Sequence, residues 1–151
     1  SWTYGFGTPT ACTGTYNANA GRDSNRTSVT KNGVSTTYCY NSADQLVSSS
    51  DATVDAAQYD PHGNTTQLGS NASPLRLSYD SSDRNSGLVQ YDGSGNGFGY
   101  YYGRDVQGRI TSRDKNNITG WNWTDAGATY YGFTGAGDTP DLMRDASWNI
   151  T

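Results

Sequence analysis

The chain has 151 residues, a formal net charge of −4 and an apolar share of only 32%. Its 14 acidic and 10 basic residues form no basic stripe, so a nucleic-acid partner is not expected. No apolar run approaches the roughly 18 residues of a membrane span, so no span is predicted. No signal peptide is visible and the chain begins at Ser1, so we expect a segment of a longer precursor or a processed piece.

Aromatic residues compensate for the scarcity of aliphatic ones, since the chain contains 12 Tyr and 4 Trp. Aromatic side chains bury large areas and pair across neighbouring strands. The composition therefore favours an all-β, tyrosine-rich antiparallel sheet over a compact aliphatic core.

The first 20 residues predict a strand followed by a long loop. Trp2, Tyr4 and Phe6 alternate onto one face, and a Gly/Thr-rich loop follows. Cys12 lies in this loop and Cys39 in a later strand, and we predict a disulfide between them, worth about 3 kcal/mol. The alternative is two unpaired buried thiols. A disulfide suits an extracellular or cell-surface protein, which is the expected location.

A hairpin is predicted next. The strand 26–30 and the strand Val34–Tyr40 flank Lys31-Asn32-Gly33. Asn-Gly is a strong signal for a tight hairpin turn, because both residues tolerate positive φ.

One short motif then recurs at a spacing of about 20 residues. Tyr is followed by Asp or Asn, two small or polar residues, Gly or Asp, a polar residue and a strand-like tail. The central copies are Tyr59–Leu68 and Tyr79–Arg84; an upstream copy has Asn for Asp, a downstream copy lacks the Tyr, and a degenerate copy covers Arg22–Thr27. The residues that define the repeat are Tyr40, Tyr59, Asp60, Gly63, Tyr79, Asp80, Asp105, Gly108 and Arg109.

Each copy has the pattern of a strand, a turn and a returning strand. The flanks alternate with a period of two residues, and the centres contain the Gly and Asn that tight turns require. We therefore expect antiparallel hairpins in which the Asp or Asn bonds the turn backbone and the tyrosines stack between successive units.

The motif resembles the YD repeat of the RHS family, which includes bacterial RHS proteins, the shell-forming subunit of Tc toxins and the animal teneurins. The match is closest at Tyr38–Leu46 and Gly108–Arg113, and it covers roughly residues 21–115. The resemblance implies a sheet coiled into a solenoid- or shell-like strip that encloses or presents other segments. The chain would be one segment, 1–151, with repeats at about 21–47, 48–70, 71–97 and 98–115 and a less regular aromatic-rich end at 116–151.

Two of the turns have alternative interpretations. Asp60–Gly63 matches the Asp-Pro-X-Gly signature of the self-cleaving aspartyl site in RHS proteins, but it lies inside a repeat, which favours a turn. Asp92–Gly97 resembles part of a calcium loop, yet the chain has no Glu to close such a loop, so a hairpin turn is favoured. No metal or other cofactor is predicted.

Beyond residue 115 the pattern becomes irregular. Trp121–Thr124 alternates as a strand would, and Trp148–Thr151 is again strand-like. Asp141–Ala146 could form one short helical turn at most, and no amphipathic helix is predicted anywhere.

The sequence contains candidate sites for attached glycans and candidate side chains for binding glycans. Sequons occur at Asn25, Asn64, Asn117, Asn122 and Asn149, while the one at Asn71 is a poor acceptor because Pro74 follows it closely. The alternative is that Asn and Thr simply suit turns and exposed strands. The exposed aromatic residues that could stack on sugar rings are Trp2, Trp121, Trp123 and Trp148, although we favour cross-strand packing as their role.

The predicted function is structural: a non-catalytic segment that forms a shell wall or a self-assembling surface fibre. The chain has one His, no Glu and no nucleophile constellation, which argues against an enzyme. Both ends look like open strands, and an uncapped sheet edge pairs readily with another strand. The expected partners are thus flanking repeats of a longer chain or further copies joined head to tail. The alternative function is a carbohydrate-binding or adhesion module.

Overall fold

The computed structural model describes every residue from Ser1 to Thr151 and is all-β, with antiparallel pairing between its strands. The one helical element is a four-residue 3-10 helix at Ala20–Asp23, so no helix is long enough to cross a membrane. The chain divides into two compact units, Ser1–Asn71 and Ala72–Thr151, referred to below as unit 1 and unit 2. The prediction of an all-β antiparallel fold is confirmed.

Unit 1 contains a four-stranded sheet and a separate hairpin. The sheet runs in chain order through β1 (Trp2–Gly5), β2 (Ser28–Lys31), β3 (Val34–Tyr40) and β4 (Leu46–Ser49), and the hairpin consists of β5 (Gln58–Tyr59) and β6 (Thr65–Leu68). Asn32 and Gly33 join β2 to β3 with φ of 50° and 84°. Both residues are left-handed, as a two-residue type I′ turn requires, so the predicted hairpin is confirmed.

A long excursion between β1 and β2 is fastened to this sheet. The predicted disulfide is present, with the Cα atoms of Cys12 and Cys39 5.7 Å apart, and Cys39 is only 1% exposed. The backbone N–H of Asn17 donates to the carbonyl of Tyr40 at 2.7 Å. The degenerate repeat copy predicted at Arg22–Thr27 is wrong: the 3-10 helix occupies its start, and Ser24 closes that helix with φ of 71°.

Unit 2 is a six-stranded meander in chain order. Its strands are β7 (Leu75–Tyr79), β8 (Asn85–Tyr91), β9 (Gly97–Arg104), β10 (Ile110–Thr119), β11 (Asn122–Gly132) and β12 (Leu142–Asp145). Ile118 is the only buried hydrophobic side chain of this unit, at 2% exposure. Unit 2 is therefore a sheet with a thin core.

Two predictions at the C-terminal end are wrong, and a third is resolved. Asp141–Ala146, where one short helical turn was expected at most, forms none, because β12 occupies most of it and pairs with β11. Trp121 lies in the two-residue turn between β10 and β11, where Gly120 and Trp121 have φ of 54° and 70°. Trp148 also lies in a turn, with φ of 66°, and only Ile150 beyond it bridges back to Arg144.

Four hairpins share the same irregularity directly after the turn. In each, the returning strand carries one residue more than its partner strand, which is a β-bulge. A bulge bends its strand and increases the local right-handed twist. The four register shifts fall between Cys39 and Tyr40, between Gln58 and Tyr59, between Ser78 and Tyr79, and between Ile110 and Ser112.

Removing the disulfide tests how unit 1 is held. We expect the double variant Cys12→Ser/Cys39→Ser to lose about 3 kcal/mol of unfolding free energy, because the long excursion gains freedom in the unfolded chain. Hydrogen exchange should show faster opening of amides in β2 and β3, with amides in β9 and β10 as the internal control. Equal acceleration in both groups would contradict a local role for the disulfide.

Candidate functional site

The most regular feature of the molecule is a five-residue turn that occurs six times, here called the Asx loop. Position 1 is Asp or Asn, position 4 has positive φ, and position 5 is Asn, Arg or Gln. Two loops lie in unit 1 and four in unit 2. The six loops span residues 41–45, 60–64, 80–84, 92–96, 105–109 and 145–149.

The side chain at position 1 organises every loop. In the loop that begins at Asp92, one carboxylate oxygen accepts the backbone N–H groups of Ser94 and Asn96, both at 2.8 Å. The other oxygen accepts the side-chain amide of Asn96 at 3.1 Å. The backbone N–H of Asp92 donates to the carbonyl of Asn96 at 2.7 Å, which closes the loop. Asn41 makes the equivalent bonds with its amide oxygen, so a neutral side chain can fill position 1.

The remaining loops repeat this geometry with other residues at position 5. Arg84 and Arg109 use the guanidinium Nε to reach the carboxylates of Asp80 and Asp105, at 2.9 and 2.7 Å. Position 4 is Gly in three loops, Asp in two and Trp148 in the last. The residue before position 1 is Tyr in four loops; Arg104 and Arg144 replace it in two, and each donates to the position 4 carbonyl.

The hydrogen bonds within the loops lower the pKa of the position 1 carboxyls. For Asp60 and Asp145 the main cause is the bond from the Asn side chain at position 5. For Asp80 and Asp92 it is the backbone N–H of position 5. These carboxylates are committed to turn structure. That includes Asp60 in the Asp-Pro-X-Gly sequence and Asp92 in the calcium-like sequence.

The repeat tyrosines of unit 1 connect each hairpin to the chain before it. The hydroxyl of Tyr59 donates to the carbonyl of Leu46 at 2.9 Å, and that of Tyr40 donates to the carbonyl of Arg26 at 3.1 Å. Burial raises the pKa of both hydroxyls. These two tyrosines therefore link neighbouring segments through hydrogen bonds, without a ring–ring stack between them.

All four tryptophans are exposed, and each packs against an aromatic neighbour of its own unit. Their exposed fractions range from 41% for Trp123 to 66% for Trp121. Trp148 lies parallel to Tyr130, with ring centroids 5.2 Å apart and 2° between the planes. The other ring pairs are Trp2 with Tyr4, Trp121 with Tyr91 and Trp123 with Tyr101.

Two tryptophans lie over glycines of the sheet. A Cβ added at Gly95 would overlap the indole of Trp121, and one added at Gly99 would lie 2.7 Å from Trp123. Because glycine has no side chain, the two indole rings can lie against the backbone of unit 2. The apolar area that they bury there adds to the small area buried in the thin core.

The predicted glycosylation sites differ in the state of their side-chain nitrogen, which is the atom that would carry a glycan. The amide nitrogens of Asn25, Asn64 and Asn149 donate to Asp44, Asp60 and Asp145. Asn122 donates weakly to the carbonyl of Gly120, at 3.3 Å. Asn117 is exposed on β10, and its side chain forms no hydrogen bond. Asn71 accepts a bond from Gln67 through its oxygen.

Unit 2 also contains a groove that sequence reasoning missed, here called the arginine groove. It has a volume of about 610 Å³ and is lined chiefly by Tyr102, Arg104, Arg109, Arg113, Tyr131 and Phe133. These residues come from β9, β10, β11 and the connections beside them. Because these strands and connections share no common motif, no local pattern in the sequence predicts the groove.

Acidification tests the Asx loops. A pKa that is lower in the folded chain than in the unfolded chain stabilises the fold above the unfolded value, about 3.9 for Asp. That stability is lost as the pH falls through the folded values. We therefore expect the melting temperature to be flat from pH 7 to about pH 5 and to decline below about pH 4.

Asp→Asn variants separate charge from geometry. The triple variant Asp60→Asn/Asp92→Asn/Asp145→Asn changes three loops whose position 5 is Asn. That Asn can turn its side-chain oxygen towards the new amide. The variant should therefore fold at pH 7, and its melting temperature should fall less in acid. Asp80→Asn should destabilise even at pH 7, because the Arg84 guanidinium can only donate. An acid decline unchanged in the triple variant would show that other groups cause it.

Comparison with known proteins adds no family to this geometry. No protein-family model matches the chain, and no curated protein sequence matches it either. The resemblance to YD repeats therefore rests on the residues of the motif, and it stays a prediction.

Proposed function

We propose that the chain is a structural, non-catalytic YD-repeat segment of an extracellular protein, which forms part of a shell wall or a self-assembling fibre. The observation that carries this proposal is the sixfold recurrence of the Asx loop with the same hydrogen bonds. A loop whose hydrogen bonds lie within it reverses the chain and so joins two antiparallel strands. Its carboxylates are held as acceptors and are poorly placed for acid–base chemistry.

The bulges support the coiled, shell- or solenoid-like form of the proposal. They occur in the hairpins of the four copies that the sequence motif identifies, and the hairpin at Asp92 pairs without one. Since each bulge adds twist, a regular series of bulged hairpins would coil a long sheet in a constant direction. The disulfide agrees with an extracellular location.

Open sheet edges support the self-associating form. β1 pairs only with β2, so backbone groups along its other side have no strand partner. On the side of β12 away from β11, only the bridge between Arg144 and Ile150 and the bond from Thr151 to the carbonyl of Met143 are formed. Successive copies could pair head to tail through these different edges. A head-to-tail contact that does not form a closed ring generates a filament.

A charged substitution on the edge strand tests the fibre. We expect filaments of the isolated chain in electron microscopy, and we expect Thr3→Lys on β1 to suppress them, because edge lysines oppose strand addition. Val34→Lys is the matched control, since it adds the same charge to an exposed position of the inner strand β3.

The images and the intact mass discriminate between the two structural forms. Filaments that persist in Thr3→Lys would contradict pairing through β1. Closed shells, or a single chain much heavier than 16.2 kDa, would favour the shell wall and exclude the fibre.

The exposed tryptophans favour carbohydrate binding as the second candidate. Trp2, Trp121 and Trp148 are each more than half exposed, and each packs against one aromatic neighbour. Neutral oligosaccharides that stack on the exposed parts of these rings should quench tryptophan fluorescence in a saturable manner. Trp148→Phe should reduce the quenching, and a spectrum that is insensitive to sugars would reject this candidate.

A further inference from the structure

We propose that the arginine groove of unit 2 binds an acidic saccharide, with the carboxylate held by Arg113 and the sugar ring held against tyrosine. This inference goes beyond the structural role, and none of the four tryptophans lines the groove. The volume of about 610 Å³ falls within the range of about 300–1,000 Å³ that is usual for small-ligand sites.

The charges of the groove favour an anion, although the chain as a whole is acidic. Three arginines line it against one carboxylate, that of Asp138. Arg109 is fully engaged, because it pairs with Asp105 and also donates to the carbonyls of Gly135 and Gly137. Neither Arg104 nor Arg113 forms an ion pair. The groove thus keeps uncompensated positive charge.

Arg113 is the residue best placed to hold a ligand. It is exposed on β10, and its guanidinium makes no hydrogen bond within the protein; it lies 5.4 Å from the ring centroid of Tyr100. Its five donors are therefore free for a planar, bidentate contact, which is the geometry that a carboxylate offers. Arg104 is fixed instead, since it donates to the carbonyls of Gly108 and Asn85.

Arg104 contributes positive charge to the groove but no free donor. Both of its terminal nitrogens are satisfied, and its Nε is buried without a hydrogen-bond partner. Because the Nε is buried, a ligand in the groove would not reach it, and the direct contact falls to Arg113.

The rings around Arg113 suit a sugar. Tyr102 stands directly opposite Arg113 in the register of β9 and β10, and Tyr131 lies on β11 on the same side of the sheet. Neither ring is stacked on another aromatic ring, whereas Phe133 is covered by the Arg109 guanidinium at 4.4 Å. Arg113 lies on the strand between those that carry the two free phenol rings, and this arrangement matches a ligand that combines a carboxylate with the apolar face of a pyranose.

Calorimetric titration of the whole chain tests the proposal. The probes are the trimer of galacturonic acid, the neutral trimer of glucose and inorganic phosphate. We expect saturable binding of the charged trimer that weakens as salt is added, and no comparable binding of the other two. Binding of the glucose trimer or of phosphate as tight as that of the acidic trimer would overturn the proposal, as would no saturable binding of the acidic trimer.

Variants identify the residues. Arg113→Gln should weaken binding of the acidic trimer by about tenfold or more, because it removes a charge-assisted contact. Tyr131→Leu should also weaken it. The matched control is Arg76→Gln, which removes a guanidinium that lies over Tyr91 outside the groove and should leave affinity unchanged.

Thermal melts show whether each variant is folded. Arg113→Gln with unchanged affinity, or Arg76→Gln with an equal loss, would assign binding elsewhere. Failure of this experiment leaves the structural role standing, because no part of that role depends on the groove.

Discussion

The hydrogen bonds from two backbone N–H groups to one side-chain oxygen at position 1 of the Asx loop are the interaction on which the rest of the fold depends. A tight turn leaves amides pointing inwards, and an unpaired amide is costly once a sheet forms around it. The Asp or Asn oxygen accepts both of these amides in all six loops. The strands on either side are then held in register without a large buried apolar surface.

This local source of order explains how a chain with so few aliphatic residues can keep a defined sheet. The buried hydrophobic residues are only Ala20, Val29, Cys39 and Ile118. Aromatic rings contribute instead, through pairs with each other and through arginine or lysine side chains placed over their faces. The excursion of unit 1 has neither device along most of its length, and there the disulfide holds the chain.

The sequence predicted the parts of the fold that local chemistry determines. The repeat motif located four of the loops, three of them through Tyr followed by Asp or Asn, and Asn-Gly located the type I′ turn. The loop at Asp145 was missed because Arg144 replaces the tyrosine and Trp148 occupies the left-handed position, where Gly is usual. The pairing of Asp at position 1 with Asn at position 5 is the signal that would have revealed it.

What the sequence could not predict depends on contacts between distant segments. Trp121 and Trp123 look like a strand alternation, yet Trp121 lies in a turn, where its ring packs over Gly95 and its backbone N–H donates to the Gly95 carbonyl. The arginine groove joins residues that no motif connects. A bare count of arginines cannot distinguish Arg109, which is occupied, from Arg113, which is free.

The self-contained bonding of the Asx loop also bears on how such a chain can change in length. Because the hydrogen bonds from the position 1 side chain all lie within the loop, duplicating or deleting a hairpin would leave those bonds intact in the other loops. The cost of such an event falls on the strand pairing at the two junctions and on the bonds between neighbouring hairpins, such as that from Tyr59 to Leu46. Whole hairpins are therefore the natural unit of insertion and loss.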